Sequence, residues 1–102
     1  MFVGGTFNMS GGVITSNTAR QNGGGVHMTS TGSFTKTGDS TITGFNEISE
    51  PNGNAVRNAD ETLRNNRGHT VYVDITPVRR RESTAGFGED MTLNGATVEG
   101  FD

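Results

Sequence analysis

The chain alternates apolar and polar residues in short bursts rather than long stretches. In Gly24-Gly25-Val26-His27-Met28 and in His69-Thr70-Val71-Tyr72-Val73, two apolar residues flank a middle position, and Met1-Phe2-Val3 fits the same slot. A period of two marks a strand whose successive side chains point to opposite faces. Val3, Val26, Met28, Val71 and Val73 are therefore expected to face a core. Phe2, His27 and Tyr72 are expected to face outward.

A second unit interleaves with the first. Phe7-Asn8-Met9-Ser10-Gly11-Gly12-Val13-Ile14 recurs as Phe34-Thr35-Lys36-Thr37-Gly38-Asp39-Ser40-Thr41-Ile42, with one extra residue before the isoleucine. Met91-Thr92-Leu93-Asn94-Gly95-Ala96-Thr97-Val98 carries it again. Phe7, Met9, Ile14, Phe34, Ile42, Leu93 and Val98 complete the expected apolar ladder. From Met1 to Val26 is 25 positions, and from Phe7 to Phe34 is 27. A strand can pair in parallel with its own repeat only after a long return path, so this period excludes a stack of tight hairpins and fits a coil of short strands. Successive turns would stack about 4.7–4.9 Å apart and set Phe7 under Phe34 and Ile14 under Ile42.

The punctuation agrees. Gly4-Gly5, Gly11-Gly12 and Gly23-Gly24-Gly25 offer turn conformations closed to other residues, and Asn17, Asn22 and Asn46 sit where a coil must bend. Their amides are expected to bond to the neighbouring turn. Between residues 45 and 68 the pattern lapses. Val56, Ala59 and Leu63 are spaced for one or two turns of amphipathic helix, or the segment is an inserted loop. A second excursion, over residues 76–83, precedes the last repeat. The expectation is an all-β parallel β-helix, a solenoid forming one domain over residues 1–102. Regular rungs occupy 1–44, an inserted loop or short helix 45–67, and closing rungs 68–102, about three to four rungs of roughly 25 residues in all.

Composition sharpens this picture. Only 29 % of the residues are hydrophobic, and glycine, threonine, asparagine and serine make up nearly half of the chain. Such a chain fills a thin column of side chains rather than a broad core. The net charge of −3 and pI of about 5.2 give no general attraction to nucleic acid or to an anionic membrane. There is no cysteine, no apolar run long enough to span a bilayer, and no visible signal peptide.

The run Gly4-Gly5-Thr6-Phe7-x-Met9-Ser10-Gly11-Gly12-x-Ile14-Thr15-x-Asn17-Thr18-Ala19, followed by Gly23-Gly24-Gly25-Val26, resembles the repeats of spirochaete and gut-bacterial surface proteins. It is similar also to the polymorphic outer-membrane protein repeats of chlamydiae. The match is clear over residues 3–44 and weaker over 68–100. The resemblance implies a right-handed coil displayed extracellularly or at a bacterial cell surface as a stalk, adhesin or passenger. It brings no catalytic residues.

Candidate chemistry is sparse. The calcium-binding β-roll needs an aspartate that Gly23-Gly24-Gly25-Val26-His27-Met28 lacks. His27 and His69 are the only histidines, they hold different places in the repeat, and both read as surface residues. No metal, cofactor or catalytic residue is expected. A carbohydrate-active β-helix, lyase or glycan-binding module, is the alternative to a structural or adhesive one. It would need two facing carboxylates, drawn from Asp39, Asp74, Glu89 and Asp90. Gly86-Phe87-Gly88-Glu89-Asp90 lacks the third glycine of a phosphate loop. Arg79, Arg80 and Arg81 read as a solvated loop, partly neutralised by Glu82. With Phe2, His27 and Tyr72 they are the candidate contact residues, for a glycan or a host surface. The terminal segments both read as strands without caps, so the expected partners are other copies stacked head to tail into filaments, or neighbouring repeats of a longer protein.

Overall fold

The computed structural model describes residues 1–65, 67–75 and 78–93, and over these the chain is all-β, with no helix. One four-stranded sheet runs β1 (Phe2–Val3), β4 (Val26–Thr29), β7 (Val71–Asp74) and β8 (Arg79–Arg81). A second sheet runs β2 (Thr6–Ile14), β5 (Ser33–Ile42) and β9 (Met91–Leu93), and a two-stranded sheet pairs β3 (Thr18–Ala19) with β6 (Ala55–Val56).

The pairings follow the repeat. Phe2 lies opposite His27 and His27 opposite Tyr72, while Phe7 lies opposite Phe34 and Ile14 opposite Ile42, all in parallel strands. The extra residue before Ile42 is absorbed by a register shift between Met9 and Gly11, where Gly38 adopts φ of 62°. β3 also pairs in parallel with β6, so Ala55 and Val56 stack on Thr18 and Ala19.

The closing segment departs from expectation. β8 pairs antiparallel with β7, and β9 antiparallel with β5, setting Leu93 against Phe34 and Met91 against Lys36. An antiparallel bridge between Ala85 and Ile42 lies between them in sequence. A reversal of chain direction between β7 and β8 accounts for all three contacts, because the chain then runs back past the strands it has already formed. Two of the three sheets are therefore mixed, and the β3–β6 pair is parallel. The repeat could not report this, since Met91-Thr92-Leu93 reads in-out-in along either direction.

Three further expectations are corrected. Residues 79–81 form a strand rather than a solvated loop, because the edge of β7 offers them a ladder of backbone groups. Residues 56–63 form no helix: Val56 is buried in β6, Ala59 is exposed, and Asn58, Asp60 and Thr62 close a turn with Glu61 at φ of 71°. Asn46 does not reach a neighbouring turn of chain. Its Oδ1 accepts from Ile48 N–H and Ser49 N–H within its own loop.

Val3, Met9, Val26, Met28, Phe34, Ile42, Val71, Val73 and Leu93 are buried in one apolar cluster with Ala85 and Met91. Phe7 and Ile14 pack against it but are only partly buried, because each lies in a strand with a neighbour on one side. Val98 lies outside the described residues. The interior also holds Lys36, whose ammonium donates to Gly86 O and Glu89 O at 2.8 Å each. It occupies the position of Met9 one repeat later.

His69 is buried, not a surface residue. It lies two and four residues before the inward Val71 and Val73, so alternation already placed it on the core side. Val56 N–H donates to His69 Nδ1 at 2.9 Å, which leaves the ring proton on Nε2, 3.6 Å from Glu82 Oε2. Burial holds the His69 pKa below its ordinary value, with Glu82 opposing and Arg57 adding to the shift. In the unfolded chain the ring takes up a proton near pH 6.5, and the folded chain resists that uptake. This contribution to stability is therefore full above about pH 6.5 and falls as pH drops from there through the lowered folded pKa. Urea midpoints are expected to be lower at about pH 5 than at about pH 7.5, with the difference reduced in His69→Gln.

Candidate functional site

The sheet β1-β4-β7-β8 turns its inward residues to the core and leaves one row pointing out. Phe2, His27, Tyr72 and Arg80 are successive register partners across its four strands. The Phe2 and His27 rings meet edge to face with centroids 5.4 Å apart, and His27 meets Tyr72 the same way at 5.3 Å. Edge-to-face contacts set the positive ring edge of one residue against the negative face of the next. Phe2 is 69 % exposed, while His27 and Tyr72 are half-buried against their neighbours.

The file ends at Arg80, whose Nε is shielded from solvent yet has no hydrogen-bond partner. Arg81 points the other way. It forms an ion pair with Glu89 and donates to Ser83 O and Thr84 O. Beside the aromatic file, Thr29 lies opposite Asp74, whose side chain is exposed. The surface thus joins an aromatic row, a hydroxyl, a carboxylate and a guanidinium. Apolar faces flanked by sparse polar groups are the chemistry that holds sugar rings or a protein surface.

The other candidates are less open. A cavity of about 370 Å³ is bounded by Gly44, Phe45, Asn46, Ser49, Glu82 and Thr84, among others. Its polar groups are largely engaged: the Glu82 carboxylate accepts from Gly68 N–H and His69 N–H, and Thr84 Oγ1 accepts from Gly44 N–H. Phe45 is covered on one side by the Arg57 guanidinium, 5.1 Å from the ring centroid.

The carboxylates do not form a facing pair across this cavity. Glu89 is held by Arg81, Asp90 accepts from Gly38 N–H at 3.2 Å, and Asp39 lies opposite Gly11 in the second sheet, away from Asp74 in the first. Residues 86–90 wrap the Lys36 ammonium with backbone carbonyls, a role that their sequence did not signal. Among the described residues no three His, Asp or Glu side chains converge as metal ligands, and no helix is long and apolar enough to cross a membrane. Compared with known proteins, the chain matches no family model, no curated protein and no solved structure.

Proposed function

We propose that this chain is a module of a right-handed parallel β-helix with a non-enzymatic, adhesive or structural role at a bacterial cell surface. The observation that carries the reading is the outward file of Phe2, His27 and Tyr72, repeated in register on parallel strands. Parallel neighbours in three sheets, each reached after a full circuit of chain, support a coil whose first turns wind in one sense. Its walls present equivalent side chains at regular intervals, which suits a repeating ligand. A glycan is the ligand class that fits best, because sugar rings lie on aromatic faces while their hydroxyls meet groups such as Asp74, Thr29 and Arg80.

The test is binding of the chain to an array of glycans. Retention is expected, and Tyr72→Ala should weaken it about tenfold, the equivalent of one aromatic contact at about 1.4 kcal/mol. Phe2→Ser, which removes an exposed ring, should act in the same direction without disturbing the fold. Absence of binding, or binding indifferent to both substitutions, would sink the adhesive reading. Turnover of a bound polysaccharide would replace it with a catalytic one.

A further inference from the structure

The outward row of the first sheet carries one cation, Arg80, set beside Tyr72 by the β7–β8 register. We propose that Arg80 is the subsite for an anionic substituent, a carboxylate or a sulfate, on the glycan held by the aromatic file. The inference rests on the adhesive reading and adds a charge preference to it: the ligand is an acidic polysaccharide rather than a neutral one.

Alternation along β8 sends Arg79 and Arg81 to the side of Val73 and Val71, and Arg80 to the side of Tyr72. The hydrogen bonds separate Arg80 from the other cations. Arg81 is neutralised by Glu89, and Arg20 pairs with Glu61. Arg57 and Arg64 each donate to a backbone carbonyl, and the Lys36 ammonium is held by two. Arg80 Nε is shielded from solvent and makes no hydrogen bond. A charged N–H that has lost water without gaining a partner is destabilising. Such a group gains more from an incoming anion than a bonded one does, because no existing bond has to break.

The fork of the guanidinium selects the ligand. Its Nε and Nη donors lie in one plane and fit two oxygens of a single carboxylate or sulfate, which a lone hydroxyl cannot match. No hydrogen bond holds Nε where it lies, so a turn of the side chain presents the fork to the row of rings.

The carboxylates of the closing segment are engaged elsewhere. Glu82 accepts from Gly68 N–H and His69 N–H, Glu89 is taken by Arg81, and Asp90 accepts from Gly38 N–H. Asp74 shares the face of Tyr72 but stands two residues along β7, roughly 7 Å away along the strand. Among the described residues it forms no ion pair with Arg80. Its charge orients the sugar, with the acidic substituent toward Arg80 and hydroxyls toward Asp74 and Thr29. A chain of net charge −3 has no general attraction for a polyanion, so the preference is local to this guanidinium.

Calorimetric titration of the full chain with three oligosaccharides of equal length tests the proposal. They are an oligogalacturonate, the same oligomer with its carboxylates reduced to alcohols, and a sulfated form of that neutral oligomer. At least one acidic oligomer is expected to bind about tenfold more tightly than the neutral one, and the one that does so tells carboxylate from sulfate. Arg80→Gln should bring the acidic and neutral affinities together, Arg80→Lys should restore part of the gap, and Asp74→Asn should widen it. On the unsubstituted chain, raising salt from about 0.05 M to about 0.5 M should narrow the gap, a measure independent of how the variants fold. Equal affinity for neutral and acidic oligomers would overturn the charge preference and leave the aromatic reading standing. A gap untouched by Arg80→Gln would overturn it as well. A gap closed by Arg80→Gln but indifferent to Tyr72→Ala would keep the anion subsite and overturn the aromatic reading. Failure of all three oligomers to bind would overturn both.

Discussion

Gly25→Ala is expected to leave little folded protein. A Cβ at this position would lie 2.6 Å from Thr70 O, 2.7 Å from Ile42 Cγ2 and 2.9 Å from Asn54 Nδ2. None of the three can give way cheaply. Thr70 O accepts the Val26 N–H at 3.0 Å, and Ile42 and Asn54 are fully buried. Overpacking by a methyl group against soft side chains costs about 1–3 kcal/mol, and a clash with backbone belongs at or above the top of that range. Against the roughly 5–15 kcal/mol that holds a domain of ordinary stability, this removes a large share. Loss of a cooperative thermal transition, or a urea midpoint well below that of the parent, is the expected result. Gly86→Ala is the control, since a Cβ there meets nothing within 4 Å, and it should shift stability by less than about 0.5 kcal/mol. Equal behaviour of the two variants would show that the turns of chain are not packed as tightly as described.

The second large effect is expected at Asn54. This fully buried amide donates to Thr43 O at 2.6 Å and to Ile14 O at 2.8 Å, and its Oδ1 accepts from Asn17 N–H and Asn17 Nδ2, each at 3.0 Å. It ties the ends of β2 and β5 to the segment leading into β3. Asn54→Ala leaves Thr43 O and the Asn17 backbone N–H without these partners, at about 1–3 kcal/mol for each group that water does not reach, and removes one of the donors to Ile14 O, which keeps the Thr43 N–H at 3.0 Å. A total loss of about 4 kcal/mol is expected from urea unfolding. Asn17→Ala, on the exposed side of the same contact, should cost only about 1 kcal/mol. If Asn54→Ala proved as mild as Asn17→Ala, water would be reaching these groups and the corner would not be sealed.

The walls of the fold are legible in the sequence and its corners in part: Asn17 and Asn22 bond to a neighbouring pass of the chain as their positions suggest, whereas Asn46 bonds only within its own loop. Phe7 against Phe34 and Ile14 against Ile42 follow from aligning the sequence with itself, and even the extra residue reappears as the shift beside Gly38. Side-chain alternation reports which face a residue takes but is blind to strand direction, so the repeat predicts the neighbour of β9, β5, but not that the two strands run antiparallel. β6 is two residues long, too short to show a period, and lay hidden in a stretch that otherwise reads as a loop. Lys36 stood at an inward position with a charged name. Its burial depends on carbonyls fifty residues away that no local pattern announces. Phe2, His27 and Tyr72 do share one file, while the arrival of Arg80 depended on a strand that sequence did not foresee.

The loop over residues 46–50 and the turn over 58–62 are each closed by their own hydrogen bonds, Asn46 with Glu50 and Asn58 with Thr62. Neither lends a side chain to the apolar cluster, and Ile48 stands 92 % exposed at the tip of the first. Chain length is therefore fixed in the walls and free at these two sites. A foreign peptide could be grafted there in place of the native residues, turning the stacked sheets into a rigid carrier for an antigen or an affinity tag.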